Sequence, residues 1–297
     1  MVFTVTLNPA IDYIVKLPLL REGGTNRAAA AEVQFGGKGI NVSCVLRELG
    51  VDTTALGFAA GFTGEALAAH VAARGVHTDL IPIPEGLTRI NVKLKTDCGE
   101  TEINAPGPAI PQEALEALMD KLDRLTEGDT LILAGSIPPS LPRDLYSRIM
   151  ARFSGRGIRF VVDAEGAVLE AVLPHRPFLV KPNRAELEGL AGRQLATEED
   201  LQHAASDLRR AGALNVLVSL GGEGALLLDE FGVFHRAPAA AIRPVNTVGA
   251  GDSMVAGFVA GLPQGYDYAL KLGIAAGGAT AASDGLADRR RIFDLMK

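Results

Sequence analysis

The 297-residue chain has no tryptophan and only two cysteines, and aromatic residues make up just 5% of it. Two cysteines, Cys44 and Cys98, cannot build a disulfide framework, which excludes the small stapled secreted class and fits a reducing compartment. Positive charge is not in surplus either: 29 Lys and Arg stand against 35 Asp and Glu, a formal net charge of −6. A general nucleic-acid binder needs a basic field to neutralise phosphates, so no nucleic-acid partner is expected. A small anionic ligand remains allowed, because a pocket needs only a few placed cations. No run reaches the ~18 apolar residues of a membrane helix, so no membrane partner is expected. The opening MVFTVTLNPAIDY has neither a basic start nor a long apolar core. No secretory signal is read there, and the expected location is cytoplasmic. His70, His77, His175, His203 and His235 show no metal spacing, and Gly-x-Ser-x-Gly, HExxH and Cys-x-x-Cys are all missing.

What is in surplus is glycine, 34 of 297 residues, against a usual share of about 7%. Without a collagen-like period, that surplus points to tight turns or to backbone lying close against a ligand. Hydrophobic residues at 47% can bury a substantial core. The length admits one large α/β domain or two, and no repeat, low-complexity tract or linker divides the chain.

Short runs rich in Val, Ile and Leu at 130–134, 159–162, 178–181 and 216–220 read as strands covered on both faces. Helical stretches at 141–153, 184–191 and 198–211 lie between them, and 226–228 with 233–234 reads as a hairpin. Such alternation predicts a parallel sheet with right-handed crossovers. A strand at 3–7 and a helix at 40–49 continue this in the first third. Extra strands near 13–16, 30–34, 90–94 and 100–104 do not alternate with helices and read as a small inserted sheet. A sheet over a site is one way to exclude water.

Four segments bear on chemistry. In Asn246-Thr-Val-Gly249-Ala250-Gly251-Asp252-Ser253 a glycine turn opens a helix, offering bare N–H groups at the positive helix end, a place for an anion. Asp252 in the first turn suits a general base for a hydroxyl nucleophile, or simply supplies an N-terminal helix charge. In Gly36-Gly37-Lys38-Gly39-Ile40-Asn41 the glycines could let backbone approach a ligand, with Lys38 and Asn41 as donors. A solvated loop is the plain alternative, and Gly after Lys38 rules out a Walker A loop. As a strand, 88–94 puts Arg89, Asn91 and Lys93 on one face. That face is either a stripe for a phosphate or the solvent side of an amphipathic strand. Asn183 and Glu186 lie three apart at a helix start, where they could hold Mg2+ through water or form a capping box. Asp12, after the first strand, could accept hydrogen bonds from sugar hydroxyls or cap a turn. Ser219 to Gly224 and Gly135-Ser136 lie at strand ends, where ligands bind in parallel sheets.

In order and over nearly the whole length, these segments resemble the ribokinase-like, PfkB-type carbohydrate kinases. Residues 36–41 are similar to the family's N-terminal signature, 246–253 to its C-terminal signature, and 181–186 to its Asn-x-x-Glu motif. The resemblance implies a three-layer α/β/α sandwich with a mainly parallel central sheet. It implies a single kinase domain over 1–297 and a β-sheet lid inserted from about 12–35 and 88–105. Residues 6–12, 88–94 and 179–188 are most similar to the hexose-phosphate branch, which implies ATP-dependent phosphorylation of a ketohexose phosphate, fructose 1-phosphate foremost. Tagatose 6-phosphate or fructose 6-phosphate is the alternative substrate, and a non-catalytic sugar-phosphate sensor the alternative class.

By the same resemblance Asp252 is the catalytic base, and Gly249, Ala250 and Gly251 form the anion hole. Asp12, Arg27, Gly36, Gly37, Lys38, Asn41, Arg89, Asn91 and Ser136 are implied for the sugar phosphate. Lys181, Asn183, Ser219, Gly221 and Gly224, with Gly249 and Gly251, are implied for ATP, and Asn183 with Glu186 for Mg2+. A homodimer through the lid is a further implication.

Overall fold

A computed structural model describes all of residues 1–297. The chain opens with β1 (Val2–Thr6), β2 (Ala10–Lys16), β3 (Ala30–Gly36) and helix α1 (Lys38–Glu48). Then β4 (Thr53–Ala60), α2 (Gly61–Ala73) and β5 (His77–Ile83) form a strand–helix–strand unit. β6 (Arg89–Thr96) and β7 (Gly99–Ile103) precede α3 (Gln112–Leu122). Alternation resumes with β8 (Thr130–Ala134), α4 (Leu145–Arg152), β9 (Arg159–Asp163), α5 (Gly166–Val172), β10 (Leu179–Val180), α6 (Arg184–Ala191), α7 (Glu198–Ala211) and β11 (Asn215–Ser219). The hairpin β12 (Ala225–Leu228) and β13 (Phe234–Ala237) leads to α8 (Ala250–Gly261), α9 (Tyr266–Ala281) and α10 (Arg289–Asp294).

Nine strands form one sheet in the order β13-β12-β11-β10-β9-β8-β1-β4-β5. Every pair from β11 to β5 is parallel, and only the β12–β13 hairpin side is antiparallel. Leu118, Leu145, Leu169, Leu187 and Leu201 from α3 to α7 pack on one face. Val42, Val255, Ala276 and Ile292 from α1, α8, α9 and α10 pack on the other, where Leu67 of α2 joins Cys44. Each fully buried Leu, Val or Ile among these contributes about 1.5–3 kcal/mol. This is the three-layer, mainly parallel architecture the sequence predicts.

Sequence reading leaves β4, α2, β5, α3, α5 and α10 unassigned. β4 and α2 are rich in Ala and Gly and carry little pattern. Gly57 shows why: a Cβ there would lie 2.1 Å from the Thr6 carbonyl oxygen of neighbouring β1, so the strand is chosen for close approach and not for β propensity. α3 does carry the helical period in Leu115, Leu118 and Leu122.

The second sheet has the order β3-β2-β6-β7, with β2 parallel to β6 and the outer pairs antiparallel. Its strands span 10–36 and 89–103, close to the expected 12–35 and 88–105. Register sets Asp12 opposite Asn91, and Lys93 opposite Glu102. Of the two readings of the 89/91/93 face, the structure selects the inward one. Asn91 and Lys93 are 6% and 8% exposed, while Tyr13, Val33, Ile90 and Ile103 on the other face are exposed.

In the main sheet the chain runs outward from β1 in both directions, to β4 and β5 on one side and to β8 through β11 on the other. Such a switch point leaves a crevice at the carboxyl ends of the strands. The inner face of the small sheet lies over that crevice.

Candidate functional site

The carboxyl end of each central strand delivers a polar side chain to one cavity of about 1040 Å³. Thr6 and Asn8 come from β1, Ser136 follows β8, Asp163 ends β9, Lys181 and Asn183 follow β10, and Ser219 ends β11. The small sheet adds Asp12, Arg89, Asn91 and Lys93, and the starts of α1 and α8 add Gly37, Lys38, Asn41, Gly249, Gly251 and Asp252. Buried polar atoms without a partner are uncommon and call for an explanation. Among side-chain atoms this chain has three, Asn8 Oδ1, Arg89 Nε and Asp163 Oδ2, and all three residues line this cavity.

At its centre stands Asp252, 6% exposed, accepting a 2.8 Å hydrogen bond from Asn41 Nδ2 on Oδ2. Its carboxyl is pushed up to about 6, first by burial and then by the negative Asp163 nearby. Asn41, Lys38 and Lys181 pull the other way and keep the shift from being larger. Asp163, 1% exposed, faces Lys38 Nζ at 3.2 Å and Lys181 Nζ at 3.5 Å. Burial works against the Lys38 ammonium, but Asp163 and then Asp252 outweigh it and raise its pKa. Two lysines and two aspartates thus share one pocket where each charge is partly balanced.

Beside Asp252, Gly249 caps α8 with φ 79° and ψ −2°, a left-handed conformation that a side chain would strain. Ala250 N–H is spent on the Thr247 carbonyl at 3.2 Å, and Ser253 N–H on Gly249. The amides of Gly249, Gly251 and Asp252 find no acceptor in the chain, and these three residues line the cavity while Ala250 does not. Free donors at a positive helix end make an anion site.

On the small sheet, Asn91 Nδ2 donates to Asp12 Oδ1 at 2.9 Å and Lys93 Nζ approaches Asp12 Oδ2 at 3.2 Å. Burial lowers the pKa of the Arg89 guanidinium and Asp12 opposes this. With Nε unpartnered, Arg89 is a desolvated cation with donors to spare. At the start of α6 the capping box is present: Asn183 Oδ1 accepts from Glu186 N–H at 2.8 Å and Glu186 Oε2 accepts from Asn183 N–H at 2.9 Å. This occupies one carboxylate oxygen of Glu186 and leaves Oε1 free, and Glu186 also lines the cavity.

Most residues singled out from sequence meet here, but five do not line the cavity. Arg27 sits in an exposed loop. Gly36 lies behind Asn41, where a Cβ would come within 2.7 Å of Asn41 Oδ1. Gly224 has φ 92°, and a Cβ there would meet the Ala237 carbonyl at 2.1 Å, so its requirement is the packing of the β12–β13 hairpin. Gly221 lies in the turn before it, and Ala250 behind the free amides. Sequence reading missed Asp163. Its signal was present, an acid closing the apolar run Phe160-Val161-Val162, at the end of a strand where parallel sheets hold ligands.

The pfkB family carbohydrate kinase profile matches residues 5–290. The chain is 42% identical to a 1-phosphofructokinase of Bacillus subtilis, covering 100% of this chain and 97% of that protein. It is 36% identical to a D-tagatose-1-phosphate kinase of Bacillus licheniformis, covering 97% and 95%. Among solved structures, phosphofructokinase-2 of Escherichia coli in complex with substrates and products superposes with a TM-score of 0.93 at 29% identity, covering 99% and 98%.

Proposed function

The chain belongs to the pfkB family of carbohydrate kinases, and from that premise we propose that it transfers the γ-phosphoryl group of ATP to a ketohexose phosphate, fructose 1-phosphate foremost. The observation that carries this reading is the buried Asp252 beside three unspent backbone amides, in a cavity lined by Lys38, Lys181 and Arg89. A base, an anion hole and cations for two phosphate groups are what phosphoryl transfer to a sugar phosphate requires.

In this reading Asp252 takes the proton from the free terminal hydroxyl, whose oxygen attacks the γ-phosphorus in line. The bond to the bridging oxygen breaks and ADP leaves with it. The amides of Gly249, Gly251 and Asp252 stabilise charge on the moving group. Arg89 and Lys38 grip the phosphate already on the sugar, while Asp12, Asn91, Asn41, Gly37 and Ser136 orient it. Lys181, Asn183 and Ser219 face the nucleotide. The small sheet covers the crevice and limits attack by water.

Mg2+ fits the residues present. No cluster of three His, Cys, Asp or Glu could hold an ion alone, and Mg2+ is usually held by one or two carboxylates, phosphates and water. Glu186 and Asn183, with the unpartnered Asp163 Oδ2, are the donors in reach of such a site. When bound, the ion neutralises charge on the nucleotide phosphates.

The protein is read as one kinase domain over 1–297 that works in the cytoplasm, as its two free cysteines and its need for ATP suggest. No helix is long and apolar enough to cross a membrane. It pairs through the small sheet, whose outer face carries the exposed Tyr13, Val33, Ile90 and Ile103.

The similarity to a D-tagatose-1-phosphate kinase makes D-tagatose 1-phosphate the second candidate and shifts the alternative from the 6-phosphate to the 1-phosphate. A coupled ADP-release assay tests the reading across fructose 1-phosphate, D-tagatose 1-phosphate, fructose 6-phosphate, tagatose 6-phosphate and fructose, with and without Mg2+. The expected result is the highest kcat/KM on a ketohexose 1-phosphate. Absence of turnover on every phosphorylated ketohexose would overturn it.

A further inference from the structure

Lys93 is buried where a lysine has no cheap reason to be. It lies on β6 facing inward, 8% exposed, and removing an ammonium from water costs several kcal/mol unless partners repay it. The strand offers its own comparison in Lys95, two residues on and pointing the same way. Both pair across to an acid on β7, Lys95 with Glu100 at 3.2 Å and Lys93 with Glu102 at 3.5 Å. Only Lys93 has a second and closer partner, Asp12 Oδ2 at 3.2 Å. The contact with Asp12 is therefore what sets Lys93 apart from Lys95.

Asp12 is held on both oxygens from β6. Asn91, directly opposite in the register, takes Oδ1, and Lys93, one inward position further, takes Oδ2. Two donors on separate oxygens fix the plane of a carboxylate, and leave its remaining lone pairs free for a ligand in the cavity that Asp12 lines. Asn91 is itself fixed, its Oδ1 accepting from Ala105 N–H at 3.3 Å. Glu102 supplies a second negative charge, so the lysine does not cancel that of Asp12. A carboxylate oriented in this way accepts hydrogen bonds from neutral hydroxyl groups of a sugar, and discriminates by their geometry.

We propose that Lys93 is a positioning residue for the sugar, acting through Asp12 and balanced by Glu102. The inference rests on the sugar-phosphate kinase reading above. It assigns Lys93 no contact with phosphate, which separates it from Arg89 on the same strand face.

A double-mutant cycle with Asp12→Asn and Lys93→Met tests it in the full-length enzyme. K93M should raise KM for the ketohexose phosphate about ten-fold, the size of one lost charge-assisted hydrogen bond. KM for ATP should stay within two-fold. In the D12N background the same substitution should change KM less than two-fold, because the group through which it acts is already lost. A full ten-fold effect of K93M in D12N would overturn the proposal, since Lys93 would then act on substrate directly or on folding. An unchanged KM in K93M, or equal rises for sugar and ATP, would also overturn it. If K93M does not fold, Lys93→Gln is read by the same cycle. Turnover by the unaltered enzyme separates the two claims. An enzyme active on a ketohexose phosphate with an unaffected K93M sinks the Lys93 role alone, while inactivity on all of them sinks both.

Discussion

A carboxylate raised to about 6 can serve as a base near neutral pH without being held so strongly that it cannot release the proton. Asp252 is ionised above that value, so kcat/KM should rise with pH through about 6 and level off above 7. Lys38 favours the ionised form, so Lys38→Met should move this acid limb upward, measured on the free enzyme with sub-saturating sugar phosphate. The same shift bears on stability. The folded chain holds the Asp252 proton more tightly than the unfolded chain, so stability is lost as pH rises from about 4 through about 6. Asp252→Asn should therefore cut kcat by about 10²–10⁴ and yet lose no stability at pH 7.5, checked by thermal unfolding. A variant that keeps its rate would remove Asp252 as the base.

Helix ends in this protein divide into those that only hold the fold and those that also face the cavity. α6 and α7 start with the same device, a capping box, from Asn183 with Glu186 and from Thr197 with Asp200. Asp200 also ties the helix start to Arg193, on the surface and away from the cavity. Thr197→Ala should cost about 1 kcal/mol of stability, read from denaturant unfolding, with kcat and both KM values unchanged. A change in kcat there would mean that α7 communicates with the site. The sequence marks these two starts to the residue, since the capping pattern is local in the chain. It does not say that Glu186 also borders the cavity, because that depends on where β10 brings it.

For the whole molecule, the small sheet is polar inside and apolar outside, the reverse of an amphipathic sheet lying on a core. Its inner face meets a polar cavity, so the apolar side chains Tyr13, Val33, Ile90 and Ile103 are left facing solvent. An exposed patch of this kind on a four-stranded sheet calls for a partner, and a second copy offers the same patch by symmetry. On the proposed pairing, wild-type protein should sediment as a dimer and Val33→Asp as a monomer in sedimentation velocity. A protein that is already monomeric at micromolar concentration would refute pairing through this face.

Local chemistry along the chain determined the strands from β8 to β11 and the helices between them other than α5, the Asn183–Glu186 capping box, and the glycine turns that open α1 and α8. Each is a matter of neighbouring residues and backbone freedom, so each is legible without a partner element. Asp252, Lys38 and Arg89 could be singled out, but not what surrounds them. The tertiary structure decided that Asp163 stands between Lys38 and Lys181, that Asn41 holds Asp252 from 211 positions away, and that Asn91 and Lys93 face inward. It also decided that Gly224 serves packing and that Arg27 stays on the surface. Burial, and the pKa values that follow from it, depend on what packs across a sheet or over a cavity, and those contacts join residues that the linear order keeps apart.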